Sequence, residues 1–399
     1  MDFDIVIVGA GPSGLCFAKA LSGQGLKIAL IEQQSLEEIA DPKFDGREIA
    51  LTQNSANAMK TLELWSLIDP HAISPLKDAK ILNGSSKFEL LIGHQLSKHA
   101  ELGWLISNHL IRKAAYDAVQ LANAANQDIT FIASDKVIQV ETTSRSAQVK
   151  LSSGKNLQSR LIVAADNRFS TTRRMMGIPA DMHDFGRNML VSCMTHEKPH
   201  DHVAWEWFDY GQTLALLPMN PDPKTGQYRS SVVITVASHE ANDLVQLAPE
   251  AFSQNVVKRF KHRLGEMQLV SSVHSYPLVS VFPKRLSATR FAAIGDAAVG
   301  MHPVTAHGFN FGLLSVEALS QEIIRAKTDG RDIADPSILN RYERNHRLKT
   351  RPLFLATRLI TEIYTNESPP AKLLRKLLLH AGQRLTPFKK SIAASLTGG

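Results

Sequence analysis

The first 32 residues restrict the fold more than any other stretch of the chain. Residues 5–8 form a short apolar run suited to a buried parallel strand, and Gly9-Ala10-Gly11-Pro12-Ser13-Gly14 makes the turn after it. A helix is predicted from there to about Gly23, then a second apolar strand over 28–31 that ends on Glu32. In such a βαβ unit Gly9 permits the tight turn, Gly11 lets the backbone approach a pyrophosphate, and Gly14 lets the helix lie close on the strand. The helix start offers free N–H groups and a partial positive charge to phosphates. Glu32, eighteen residues past Gly14, can accept hydrogen bonds from a ribose and disfavours a 2′-phosphate. The unit points to a dinucleotide with an unphosphorylated adenosine ribose, FAD or NAD rather than NADP.

At 399 residues the chain is long enough for two or three domains. Its 44% hydrophobic and 21% charged residues, without a low-complexity tract, are those of a globular protein rather than a disordered or fibrous one. No segment approaches the roughly 18 uninterrupted apolar residues of a membrane span. Asp2 and Asp4 stand where a signal peptide needs positive charge. Cys16 and Cys193 read as small buried apolar residues in a reducing compartment, so a cytoplasmic location is expected. From Arg341 onward twelve Lys and Arg face three Asp and Glu, a net +9 that leaves −2 on the first 340 residues of a chain with formal charge +7. A basic tail on a near-neutral body favours an acidic partner surface, either a membrane leaflet or another protein. Nucleic acid is not expected, because the tail has no aromatic interleaving and no nucleic-acid fold is recognisable.

Residues 45–51 read as a turn into a short strand with a helix after it through Leu62, and 108–123 has helical spacing. Residues 77–95 read as paired strands around the Asn83-Gly84 turn, and 129–132, 137–141, 149–151 and 161–165 as further strands. Strand patterns dominate 189–283, at 190–194, 204–208, 213–217, 231–236 and 270–277, with one helix over 249–264. The strand at 290–294 precedes a mostly helical remainder from Gly308. The expected fold class is α/β: a discontinuous Rossmann-like nucleotide-binding domain (1–74, 98–186 and 284–340), an inserted antiparallel or mixed β-sheet substrate domain (75–97 and 187–283), and a basic helical C-terminal region (341–399). The segments 75–97 and 187–283 are expected to pair with each other.

A second constellation runs GDAAVGMHPVTAHGFNFGLLSVEAL, from Gly295 to Leu319. The apolar residues 291–294 deliver Gly295-Asp296 at a strand end, where α/β folds place ligands, and Asp296 is suited to hold a polyol hydroxyl. Pro303 and Gly308 shape a loop, and Asn310-Phe311-Gly312 begins a helix to about Lys327 whose N–H groups can face a developing anion. With Ala165-Asp166-Asn167-Arg168-Phe169-Ser170-Thr171-Thr172-Arg173 between them, the two motifs make an ordered set. This set resembles the single-component FAD-dependent aromatic hydroxylases of the p-hydroxybenzoate hydroxylase fold. Asp45-Gly46-Arg47 and Leu214-Ala215-Leu216-Leu217-Pro218 look typical of their ubiquinone-biosynthesis branch. The chain departs from the family pattern at Asn167 (glycine of the ADG segment), Val299 (histidine), Ala306-His307-Gly308 (Gly-Gln-Gly) and Ser315 (aspartate).

The resemblance implies FAD as cofactor, NAD(P)H as transient reductant, and hydroxylation of an electron-rich ring by O2 through a C4a-hydroperoxyflavin. It implies Ser13, Gly14, Glu32, Arg47 and Arg112 around the adenosine and pyrophosphate, the Val137 backbone at the adenine, Asp166 in the cofactor site, Asp296 on the ribityl chain, and Gly308, Phe309 and Asn310 at the ring system. An apolar wall over that ring is needed to exclude water; Trp205, Trp207, Phe208 and residues 214–217 can supply it. His302, beside Pro303, is the first candidate to polarise a phenol, and Tyr210 the second. No metal site is expected. The implied substrate is a polyprenyl phenol or quinol of ubiquinone biosynthesis. A small soluble aromatic, isoprenoid reduction and a non-catalytic flavin-bound subunit of a lipid-biosynthetic complex are the alternatives. The segment Lys372-Leu373-Leu374-Arg375-Lys376-Leu377-Leu378-Leu379 puts leucines on one helical face and cations on the other. It suits packing on the body, contact with the inner membrane, or docking into a ubiquinone-biosynthetic complex.

Overall fold

Apolar runs without polar alternation need cover on both faces, which a parallel sheet between helices provides. In the computed structural model, which describes residues 1–84, 89–96, 99–209, 211–301 and 308–365, five such runs form one parallel array. Its order is Phe3–Val8 in the centre, flanked by Ile28–Ile31 and then Ile129–Ile132 on one side, and by Asn156–Ala164 and then Phe291–Ala293 on the other. Helix Pro12–Leu21 packs against both Asn108–Asn126 and Gly308–Thr328 beside it. An antiparallel meander, Val137–Thr142 and Ala147–Leu151, extends from the 156–164 strand. Because the five strands are parallel, their carboxyl ends lie along one edge, and that edge carries Gly9, Glu32, Asp166 and Asp296.

The second sheet joins sequence-distant pieces. Its order is Met267–Leu269, Ala180–His196, Tyr228–Ala237, Gln212–Met219, Val203–Asp209, Asp78–Asn83 and Glu89–Gly93, with His274–Pro283 also paired to the 180–196 strand. Val203–Asp209 runs parallel to Asp78–Asn83, so the segments 75–97 and 187–283 do pair. A small third sheet, Glu48–Thr52, Gly103–Ser107 and Ser74–Leu76, lies between the two large ones in sequence.

Side chains alternate across a strand, so each strand of the second sheet serves two surfaces. Trp207, Leu214, Leu216, Val232, Ile234 and Val236 point to a second apolar core shared with the helices Ser238–Val245 and Pro249–Arg259. Trp207, Phe252 and Phe260 are fully buried there, each contributing roughly 1.5–3 kcal/mol through burial. Their neighbours Glu206, Phe208, Thr213, Ala215, Val233 and Thr235 face the other way, into a cavity. The expected wall is corrected accordingly: Phe208, Ala215 and Leu217 line it, while Trp205, Trp207, Leu214 and Leu216 belong to the core behind it.

The clearest differences from the pattern-based expectation lie in the second sheet and its helices, where the helix expected over 249–264 ends at Arg259. The strand expected at 190–194 covers Ala180–His196, because its polar first half pairs with the edge strand His274–Pro283. That pairing is irregular between Asp184 and Asn188, around Gly186 at φ +63°. The strand expected at 270–277 is divided between Met267–Leu269 and His274–Pro283, and Ser238–Val245 adds a helix before Pro249. Helix Pro336–Thr365 runs unbroken through position 340, as the 180–196 strand runs through 186. It packs on the 308–328 helix, with Tyr342 donating its hydroxyl to the Ala293 carbonyl at 2.6 Å. The Lys372–Leu379 segment lies outside the described residues.

Candidate active site

The glycine turn is held by contacts that admit no side chain at two of its three glycines. Gly9 has φ +108°, and a Cβ on it would lie 2.5 Å from the Ala165 carbonyl oxygen. A Cβ on Gly14 would lie 1.9 Å from the Gly9 carbonyl oxygen, so only glycine lets the helix start this close to the strand. Gly11 meets nothing within 4 Å and faces open space. Helix Pro12–Leu21 begins there without a side-chain cap, leaving its first N–H groups for whatever occupies that space. Ser13 is enclosed by two other elements: a Cβ on Gly295 or on Gly312 would come within 2.6 Å of its hydroxyl oxygen. The Gly295 amide donates to Ser315 Oγ at 2.9 Å, a short reach that the serine at this departure from the family pattern provides.

Carboxylates and cations are arranged around the edge. Glu32 accepts from the Ala10 amide at 2.8 Å and from the Gln34 amide at 3.1 Å, tying the second strand to the glycine turn. Arg112 donates to Gln34 Oε1 at 2.9 Å. Arg168 reaches Asp296 at 3.4 Å and the Val279 carbonyl at 2.9 Å. Arg173, fully buried, donates to the Arg168 and Ala297 carbonyls and so fastens the 166–173 segment to the 295–298 turn. Asp166 accepts from Thr172 through Oδ2, while its buried Oδ1 has no partner, and burial pushes its carboxyl up. Arg47 pairs with Asp45 at 2.6 Å and lies 5.4 Å from the Tyr276 ring centroid. Burial works against the Asp45 carboxylate, but the hydrogen bond and charge of Arg47 outweigh it, with Asn108 assisting, and hold it below the usual range.

Glu32, Gln34, Arg47, Arg112, Asp166, Arg168 and Asp296 line one cavity of about 770 Å³ that continues from the nucleotide edge to the second sheet. Of the residues proposed from sequence, Gly9, Gly11, Pro12, Ser13, Glu32, Arg47, Arg112, Val137, Asp166, Asp296, Gly308 and Phe309 line it. Gly14 stands behind the turn. Asn310 is buried behind the wall, accepting from the Thr52 amide at 3.2 Å and donating to the Ala50 carbonyl at 2.9 Å. The candidates His302, Tyr210 and Pro303 lie outside the described residues.

The carboxyl edge, uncapped helix start and long cavity describe a dinucleotide site opening onto an apolar chamber. A sequence profile of the FAD binding domain family matches residues 2–353. A ubiquinone hydroxylase, UbiM, of Neisseria meningitidis is 47% identical over 99% of this chain and 84% of its own. The chain belongs to this family of FAD-binding hydroxylases. A second relative, the ubiquinone hydroxylase UbiL of Rhodospirillum rubrum, is 30% identical over 97% of this chain and 87% of its own. The crystal structure of p-nitrophenol 4-monooxygenase PnpA from Pseudomonas putida shares the fold, with a TM-score of 0.77 and 16% identity over 99% of this chain and 98% of that one. FAD is the cofactor of the family. The cavity fits it: space beside Gly11 for a phosphate, free N–H groups aimed there, and an orphaned Asp166 oxygen.

Several cavity residues carry no clear signal in the sequence. Arg168 lies inside the 165–173 motif, but its pairing with Asp296 spans 128 positions. Glu48 and Glu206 also line the cavity. Burial pushes Glu48 up to about 7 although Ser107 donates to it at 2.5 Å, and pushes Glu206 up to about 8. Their signal in the sequence is an acid inside an apolar strand; nothing local says which face it takes.

Proposed function

We propose that this protein is an FAD-dependent monooxygenase that hydroxylates the aromatic ring of a polyprenyl phenol or quinol in ubiquinone biosynthesis, using NAD(P)H and O2. The observation that carries the reading is the single cavity that joins the nucleotide edge to a largely apolar sheet face. FAD, when bound, supplies the redox chemistry: electrons from NAD(P)H and transfer of one oxygen atom of O2 to the ring, with water as the other product. The chain's residues bind and shield. Glu32 faces the adenosine ribose, Arg112 and Val137 flank the adenosine end, and the turn 9–13 with the uncapped helix start receives the pyrophosphate. Asp296, held by Arg168, takes the ribityl hydroxyls, and Gly308 with Phe309 borders the ring system. Phe208, Ala215, Leu217 and Val233 keep water from the reacting centre. In this reading 1–74, 98–186 and 284–340 form the FAD-binding domain, 75–97 and 187–283 the substrate domain, and 341–399 the basic C-terminal region. The sequence offers His302 and Tyr210 as groups to polarise the phenol, and the described cavity wall offers Glu206 for the same role.

None of the described helices is long and apolar enough to cross a membrane. A substrate with a polyprenyl chain nevertheless favours peripheral contact with an anionic leaflet. Exposed Leu348, Leu355 and Leu359 on the last helix, with exposed Arg344, Lys349 and Arg351 beside them, support that contact.

The test is quinone profiling of a strain lacking this protein and any redundant hydroxylase. We expect one under-hydroxylated precursor to accumulate. An unchanged quinone profile, or purified protein that takes up no FAD on reconstitution, overturns the reading.

A further inference from the structure

Six carboxylates among the described residues line the cavity, and five have protein partners. Glu32 accepts from backbone amides, Glu48 from Ser107, Asp135 from Ser152 and Ser153, Asp166 from Thr172, and Asp296 from Arg168. Glu206 makes no hydrogen bond or ion pair with any described residue. Glu206 is half-buried and faces the cavity, and with no partner among the described residues its carboxyl is left free for whatever enters there.

Its placement is set by strand register. Glu206 stands opposite Ile81 on one side and Ala215 on the other, and the row continues through Val233 to Val191. Ala204 and Phe208 are its same-face neighbours along the strand. None of these residues ionises. Lys80 pairs with Trp205 and Asp78 with Val203, which places both on the opposite face. Arg187, the cation on the cavity wall of this sheet, donates to the Gly211 carbonyl at 2.6 Å. Across the cavity, Arg47 is occupied by Asp45 and Arg168 by Asp296. Among the described residues no neighbouring charge acts on Glu206, and burial shifts its titration upward.

We propose that Glu206 is the residue that receives the ring hydroxyl of the substrate and takes its proton during hydroxylation. This rests on the function proposed above and adds to it a residue and a physical basis for preferring neutral phenols and quinols over aromatic acids. The step balances simply. The phenolic O–H breaks, the carboxylate O–H forms, and the electron pair left on oxygen activates the ring; the proton is later released to solvent. An enclosed carboxyl suits this exchange because its proton affinity is brought toward that of a phenol, which narrows the gap the transfer must cross. A carboxylate-bearing ring would meet like charge at the same position.

The test uses FAD-loaded protein and a neutral probe, 4-propylphenol, with 4-hydroxybenzoate as its acidic counterpart. Wild-type protein should bind 4-propylphenol roughly 5–10-fold more tightly at pH 9 than at pH 7, because an ionised acceptor makes the stronger hydrogen bond. Glu206→Gln should keep its FAD and bind the probe at pH 7 within about threefold of wild type, with no such pH dependence. Its product formation should fall roughly 100-fold or more, the usual size of a lost general base. Reduced cofactor should still be consumed, with H2O2 replacing product. The 4-hydroxybenzoate affinity should weaken with rising pH in wild type and stay level in the variant. Wild-type phenol binding without an inflection near pH 8 overturns the proposal whether or not the variant folds; so does a variant with wild-type kcat/KM and pH profile. Failure of the functional reading looks different: no ring substrate is turned over, while the Glu206-dependent inflection in phenol binding persists.

Discussion

Gly9, Gly11 and Gly14 share one motif but answer to different constraints, and two substitutions separate them. Gly14→Ala puts a methyl group 1.9 Å from a backbone oxygen, so helix and turn must move apart. We expect it to lower Tm by several degrees and to lose most bound FAD. Gly11→Ala meets no protein atom, and its backbone at φ −70° suits alanine. It should leave the Tm of the FAD-free protein nearly unchanged, a few tenths of a kcal/mol at this N-cap, while weakening FAD at least about tenfold. Equal FAD affinity in Gly11→Ala and wild type, measured by fluorescence titration, would remove Gly11 from the phosphate site. Asn167 carries a related lesson. It stands where the family has glycine, yet its φ is not positive, and its Oδ1 instead accepts from the Phe169 amide at 2.8 Å. The replacement works through a side-chain turn rather than left-handed backbone.

At the scale of elements, apolar alternation identified most strands of the second sheet, since 204–208, 213–217 and 231–236 fall within observed strands. Alternation fixes which residues share a face but not which face meets the helices, so Trp207 went to the core and Glu206 to the cavity. Asn310 shows the same limit: its place at a helix start was legible, but its bonds to Ala50 and Thr52 depend on a strand some 260 positions earlier. The last helix allows a direct test of peripheral contact. Leu348, Leu355 and Leu359 repeat at seven and four residues, one face of a helix. Replacing all three with Ser should reduce binding to phosphatidylglycerol-containing vesicles roughly 10- to 100-fold, the worth of three partly buried leucines. High salt should weaken the wild type as well. Wild-type protein that stays in solution beside such vesicles, or that binds as well after the triple substitution, rules this face out.

Across the whole molecule, burial displaces the titration of two cavity carboxyls and of two histidines away from the cavity, and their opposing signs predict how stability responds to pH. Burial pushes Glu48 to about 7 and Glu206 to about 8, each from 4.5. Between pH 4.5 and those values the folded chain holds protons that the unfolded chain has released, so both groups lower stability as pH rises. His196 and His346 are pushed by burial from 6.5 down to about 4. Over that interval the unfolded chain holds the extra protons, so these histidines raise stability as pH rises. The two effects offset each other from about pH 4.5 to 6.5, and above 6.5 only the glutamates of these four groups still contribute. A tenfold change in proton affinity on folding is worth ~1.4 kcal/mol; with Glu206 facing a cavity that water can enter, its full effect is roughly 2–3 kcal/mol. The FAD-free protein should therefore lose Tm steadily from pH 6.5 to 8, and Glu48→Gln with Glu206→Gln together should flatten that decline. Scanning calorimetry across this interval decides it: an equal decline in the double variant would place the responsible groups elsewhere, whereas a flat profile in the variant assigns the cost to two carboxyls held on the cavity wall.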